Sequence, residues 1–290
     1  EPGLNALFGL EYKQYENQTS DIYTTESSDR AFEEEVMLSG FAQAQVKPEG
    51  SGVTYDNAQE TFTARYTNET IALAFAITEE AIEDNLYDRL ASRYTKALAR
   101  SMASTKNVKG ASTLNNGNPG GTFTSGDGVT LFNTAHPTIA GTFSNTLATA
   151  SDLNETSLEQ ALIDINAFTD ERGLKIAAKG VKMIIPSALQ FVAERLMKSQ
   201  GRTSTADNDI NAVRSMGMIP QGYRVNNYLT DADAFFILTD VPNGMKHFNR
   251  APLTTKMEGD FDTGNVRYKA RERYVFGVSD PRGIFSSPGA

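Results

Sequence analysis

The chain has 290 residues, 39% of them apolar, and carries 27 Lys plus Arg against 36 Asp plus Glu, a formal net charge of −9. That length allows one large domain or two ordinary ones with a proper core, and the acidic balance opposes general adhesion to nucleic acid or anionic lipid, so any nucleic-acid contact must be local. The lack of Cys excludes disulfides and thiolate chemistry, and no apolar run approaches the roughly 20 residues of a membrane helix; the chain reads as a soluble protein of a reducing compartment.

In chain order, residues 1–28 are rich in Tyr, Asn, Ser and Thr and read as an extended arm that is disordered or lies on something else. "EPGLNALFGLEYKQY" has no basic segment followed by an apolar one, so it does not read as a secretory signal. "DRAFEEEVMLSGF" (29–41) reads as a short helix, with Asp29 as N-cap, Glu33 and Glu34 near the positive end of the dipole and Gly40 as the stop. Residues 42–77 read as a long β-hairpin around the turn "KPEGSG". Its "TFTARYT" and "IALAFAI" segments alternate with a period of two, but large apolar groups are few in its first part, so something outside must cover it. Residues 78–106 give the clearest helix: Thr78 caps it, Glu79, Glu80, Glu83 and Asp84 open it, and Arg93, Lys96, Arg100 and Lys106 close it. Ile82, Leu86, Leu90, Leu98 and Met102 form its apolar stripe. At about 40 Å it would be a spine rather than an internal packing element.

Residues 107–151 read as a long Gly-rich loop anchored by "LFNTAHP". Beyond 152 the pattern is ordinary α/β: a helix with Leu158, Ala161, Leu162 and Ile165 inward, a strand at 181–186, a helix at 187–201 and strands at 223–229 and 234–240. The last element is "NVRYKARERYVFG" (265–277). Read with a period of two, it places Arg267, Lys269, Arg271 and Arg273 on one face. The other face carries Val266, Tyr268, Ala270, Tyr274 and Phe276, with Glu272 as its one charge.

Catalytic and metal-binding patterns are missing. His136 and His247 have no carboxylate at helical spacing and read as structural. "DFDTGN" (260–265) begins like a calcium loop but has Gly264 in place of an oxygen ligand and Arg271 in place of the bidentate Glu. "DND" (207–209) reads as turn-forming. No P-loop, GxGxxG or GxSxG occurs. The chain is therefore expected to be neither an enzyme nor dependent on a cofactor.

An arm, a hairpin, a spine helix, a Gly-rich loop and a basic returning strand each leave surface for a partner to complete. This order resembles the major capsid proteins of tailed bacteriophages, the HK97-like fold. The resemblance is carried by "AFEEEVMLSGFAQAQVKPEG" (31–50), "LAFAITEEAIEDNLYDRL" (73–90), "PNGMKHFNR" (242–250) and "EGDFDTGNVRYKARERYVFGVSDPRG" (258–283). It implies an α+β fold with an N-arm (1–28), a short helix (29–41), an extended E-loop (42–70), a peripheral domain (71–110 and 255–290) and an axial domain (111–254). It further implies hexamers and pentamers of an icosahedral shell around double-stranded DNA, located in the virion and assembled in the bacterial cytoplasm. The implied partners are the chain itself, a portal protein, scaffolding or decoration proteins, and DNA by weak non-specific contact; no membrane is involved. The residues expected at inter-subunit contacts are the cations Arg267, Lys269, Arg271 and Arg273, the carboxylates Glu33, Glu34, Glu35, Glu79 and Glu80, and Lys47 and Glu49 of the loop. Two other readings are a nucleic-acid-binding module built on strand 266–273 and a tail or receptor-binding structural protein.

Overall fold

The structure, a computed structural model, describes residues 2–84, 87–202, 209–260 and 264–290. Its elements are α1 (Pro2–Gln14), β1 (Thr24–Ser27), β2 (Phe32–Leu38), β3 (Glu60–Thr67), β4 (Glu69–Ile77), α2 (Glu79–Glu83), α3 (Tyr87–Asn115), β5 (His136–Thr138), β6 (Gly141–Phe143), α4 (Glu155–Asn166), β7 (Gly180–Ile185), α5 (Gln190–Lys198), α6 (Ala212–Ser215), β8 (Tyr223–Val225), β9 (Phe235–Thr239), β10 (Met245–Gly259), β11 (Val266–Val278) and β12 (Ile284–Ser287). They fall into two compact units. The first holds the residues up to Glu33, Tyr66–Gly110 and His247–Phe276; the second holds Glu34–Arg65, Ala111–Lys246 and Gly277–Ala290.

The first unit is built on a four-stranded sheet in the order β1-β10-β11-β4. β11 runs antiparallel to β4, in register from Val266 opposite Ile77 to Tyr274 opposite Glu69. One sheet face carries Tyr268, Ala270, Ile71 and Phe75. These pack with Leu98, Ala99 and Met102 of α3 and with Leu4, Phe8 and Tyr12 of α1. The large–small alternation of "IALAFAI" follows from this: Ile71 and Phe75 reach the core, while Ala72, Ala74 and Ala76 stand on the exposed face.

The second unit is built on a sheet in the order β12-β9-β7-β8, with β7 parallel to β8 and antiparallel to β9. The inward stripe Leu158, Ala161, Leu162 and Ile165 of α4 is fully buried against Met183, Ile185, Phe235, Ile237 and Phe285. A capping box starts α4: Ser157 N–H donates to Asn154 Oδ1 at 2.8 Å, and Asn154 N–H donates to Ser157 Oγ at 3.0 Å. Gly180 lets α4 approach the sheet, since a Cβ there would sit 2.9 Å from Leu162 Cδ2 and 3.0 Å from Ile237 Cγ2.

Several expectations are corrected. The short helix at 29–41 is instead strand β2, paired with β3. Its side chains alternate between exposed (Phe32, Glu34, Val36, Leu38) and half-buried (Glu33, Glu35, Met37), the period of a strand. The 42–70 hairpin is anchored differently from the reading, because β3 takes β2 as its partner while β4 pairs with β11; residues 39–59 form neither helix nor strand. Residues 1–28 are not an extended arm throughout. Leu4, Phe8 and Tyr12 recur every four residues, form the inner stripe of α1 and bury Phe8. The spine is divided into α2 and α3, and α3 runs on to Asn115, nine residues into the expected loop. Residues 277–290 group with the second unit, because β12 pairs with β9. Leu86 of the helix stripe, Asp262 of the calcium-like stretch, and Asp207 and Asn208 lie outside the described residues.

Candidate functional site

The basic ribbon is β11, and the expected alternation is present. Tyr268, Ala270, Glu272, Tyr274 and Phe276 are buried, while Arg267, Lys269 and Arg271 are exposed and Arg273 is half-buried. On the exposed face each cation stands in register with a small residue of β4: Arg267 with Ala76, Lys269 with Ala74, Arg271 with Ala72 and Arg273 with Thr70. The cations therefore rise from a shelf of small side chains that carries no charge to neutralise them.

Arg267 is ion-paired to Asp260, and on β10 Lys256 pairs with Glu258 at 3.5 Å. Among the described residues no ion pair or hydrogen bond reaches the side chains of Lys269, Arg271 or Arg273, and the Arg273 Nε is buried without a partner.

Glu272, the charge on the wrong face of the strand, is explained by Lys106 of α3, whose Nζ lies 3.5 Å from Glu272 Oε2 with both side chains largely buried. Burial raises the Glu272 carboxyl above its ordinary value, and the Lys106 charge partly offsets this. Beside them His247 stacks on Phe276 at 4.5 Å between centroids and holds Thr25 Oγ1 at 3.2 Å through Nδ1. Burial pushes the His247 imidazole down from 6.5 to about 4, and the Lys106 charge acts in the same direction.

The expected acidic partners divide into two sets. Glu33 accepts a hydrogen bond from Ser28 Oγ at 2.8 Å, Glu34 lies 3.7 Å from Arg65, and Glu35 takes Lys246 and Ser279. These three are engaged within their own chain. Glu79 and Glu80 are exposed, as are Lys47 and Glu49, and none of the four has an ion pair among the described residues. The structure brings none of the expected carboxylates onto the four cations within the first unit.

Sequence reasoning missed two features. The first is a buried polar network in the second unit. His136 is fully buried, with Nδ1 at 2.6 Å from Asp127 Oδ2 and Nε2 at 3.0 Å from Asn145 Oδ1; the Asn145 amide in turn donates to the carbonyls of Leu131 and Pro281. Burial pushes Asp127 up, but hydrogen bonds from His136 and Ser125 outweigh it and hold the carboxyl below its ordinary value. Nearby Arg282 donates to Glu171 at 2.8 Å and to Asp280 at 3.2 Å, and lies over the Phe143 ring on which His136 stacks. Each of these side chains has a partner within the chain, and together they brace the segment from Asp127 to Asn145. No group of three or more His, Asp or Glu side chains able to hold a metal occurs among the described residues, and no helix among them is long and apolar enough to cross a membrane.

The second feature is the excursion from β2 to β3. Phe32, Val36, Leu38, Phe41, Val46, Val53 and Tyr55 are all exposed, Val46 and Tyr55 at 94%. The base of the excursion is pinned: Ser39 N–H donates to the Gln59 carbonyl at 2.8 Å, and Ala42 N–H donates to Asp56 Oδ2 at 2.7 Å. A defined backbone thus presents large apolar side chains to solvent, an arrangement that marks a surface for association.

A family model of phage capsid proteins matches residues 60–287. The chain belongs to the phage capsid protein family. Solved structures agree on the fold. The virus-like particle from Pyrococcus furiosus is similar over 98% of this chain and 97% of its own, at 11% identity and TM-score 0.56. The capsid of an empty GTA particle is similar over 93% and 88%, at 14% identity and TM-score 0.59. The capsid of the myovirid phage XM1 is similar over 93% and 89%, at 12% identity and TM-score 0.58. A comparison with curated protein sequences finds no match. The protein is a structural major capsid protein with the HK97-like fold, and its mixture of helices and strands is the α+β class expected of it.

Proposed function

We propose that this capsid subunit assembles with itself into hexamers and pentamers of an icosahedral shell that encloses double-stranded DNA, in a virion put together in the bacterial cytoplasm, and that its role is structural without catalysis. The observation that carries this reading is the exposed apolar excursion at 32–60. A backbone pinned at its base but bare along its length leaves Val46, Val53 and Tyr55 in water unless a neighbour covers them. Obligate interfaces of on the order of 2,000–5,000 Å² are what a shell subunit needs, and such a segment supplies apolar area for them.

In the terms of this fold we assign 1–28 to the N-arm, 42–70 to the E-loop, 71–110 with 255–276 to the peripheral domain, and 111–254 with 277–290 to the axial domain. Lys47 and Glu49 lie on the E-loop turn and would meet the next subunit. A portal protein, scaffolding or decoration proteins, and weak non-specific contact with the packaged DNA complete the expected partners.

The reading is tested by replacing residues 42–57 with a short Gly-Ser linker. The shortened subunit is expected to fold with unchanged circular dichroism yet form no closed particles by negative-stain electron microscopy. Particles formed in normal yield would overturn it.

A further inference from the structure

Resting on the reading of the chain as a shell subunit, we infer that the exposed face of β11 is a docking surface for a second copy of this chain, and that the segment it receives is Glu79–Asp84. Arg267 is paired to Asp260 and Lys256 to Glu258, which leaves Lys269, Arg271 and Arg273 as the uncompensated cations of the shelf. The Arg273 Nε is a buried donor with no acceptor among the described residues, which costs free energy in the isolated subunit.

Charge density points to the occupant: four carboxylates lie within the six residues Glu79–Asp84. Glu33, Glu34 and Glu35 are engaged by Ser28, Arg65 and Lys246 of their own chain. Glu79, Glu80, Glu83 and Asp84 are exposed and have no ion pair among the described residues. Among the described residues, the β4–β11 ribbon and the segment Glu79–Asp84 therefore carry three cations and four carboxylates without an ion pair.

Arg271 and Arg273 cannot reach these carboxylates within one copy. Ile77, two residues before Glu79, is in register with Val266 at the start of β11. At about 3.4 Å per residue, Arg271 and Arg273 stand roughly 17 and 24 Å farther along the strand, beyond the combined reach of an Arg and a Glu side chain. The acidic segment and the pair Arg271 and Arg273 thus lie toward opposite ends of the β4–β11 ribbon. A second copy can place its acidic end over the basic end of the first, an arrangement in which one chain supplies both halves of the contact. The alanines Ala72, Ala74 and Ala76 leave that approach sterically open. Duplex nucleic acid is the weaker occupant, because Asp260 and Glu258 flank the cations and the chain as a whole is at −9.

The experiment is a charge swap read by particle yield. The variant Lys269→Glu/Arg271→Glu and the variant Glu79→Lys/Glu80→Lys are each expected to retain the wild-type thermal melt and to lose closed particles by at least about tenfold. All four changes in one chain are expected to restore particles. If a reversed variant does not fold, Lys269→Gln/Arg271→Gln replaces it; wild-type assembly then weakens between about 0.1 and about 0.5 M salt, and the neutral variant is already weak and salt-insensitive. Normal yield from either single reversal, or no rescue by the fourfold variant, overturns the inference. Particles that form normally but lose nucleic acid by their ultraviolet absorbance ratio would reassign the shelf to the packaged polyanion. If the unmodified chain forms no particles, it is the shell reading that fails.

Discussion

His247 makes the stability of the first unit depend on pH, and the size of the effect follows from its surroundings. The ring is buried, stacks on Phe276, bonds Thr25 through Nδ1, and has no partner at Nε2 among the described residues. Adding a proton at Nε2 would bury a cation near Lys106, so the folded value falls from 6.5 to about 4. Between those values the unfolded chain binds a proton that the folded chain refuses. The contribution is therefore fully present above pH 6.5, falls as the pH drops below it, and is gone near pH 4. The 2.5-unit gap corresponds to about 3 kcal/mol in all, about 2 kcal/mol of it lost by pH 5. His247→Phe keeps a ring on Phe276 and removes the titration. Urea unfolding of unassembled subunits, followed by circular dichroism because the chain has no Trp, should show wild type losing stability relative to the variant as the pH falls from 7 to 4.5. Taking the difference cancels the titration of other groups. A wild-type-to-variant difference that stays constant over this range would refute the reasoning.

Two further perturbations test the packing that holds the ribbon in place. Lys106→Met leaves the buried Glu272 carboxylate unpaired and should cost about 3–5 kcal/mol in urea unfolding, while adding Glu272→Met should recover most of that loss. Phe8→Ala empties the α1 site against Leu98, Met102 and Tyr268 and should cost about 3–5 kcal/mol; no loss of stability would mean that α1 does not dock.

The parts of this fold written in short-range pattern were legible in the sequence. The alternation of 266–276 gave β11 its two faces, and Leu158, Ala161, Leu162 and Ile165 marked the buried side of α4. The capping box of Asn154 and Ser157 that starts α4 is likewise local. In "FEEEVML" the apolar residues at 32, 36 and 37 mimic helical spacing, and the hydrogen bonds of a distant strand decide otherwise. Leu4, Phe8 and Tyr12 are spaced as a helix stripe, yet Pro2, Gly3 and Gly9 dilute the signal until α3 and β11 supply the apolar surface against which it folds. Long-range polar pairs leave no such trace. Lys106 and Glu272, or Asn145 and the Pro281 carbonyl, meet through topology, and no local rule joins them. The inter-subunit candidates lay between these extremes: sequence marked the charges, but coordinates were needed to see that Glu33, Glu34 and Glu35 are already taken and Glu79 and Glu80 are not.

A capsid subunit of this kind builds a closed shell from copies of itself. Purified protein, sedimented and then imaged by cryo-electron microscopy, tests it most directly. The expected result is fast-sedimenting particles of uniform diameter whose averages show five-fold and six-fold capsomers. A species that stays monomeric under every assembly condition, or that grows into open fibres, would contradict it.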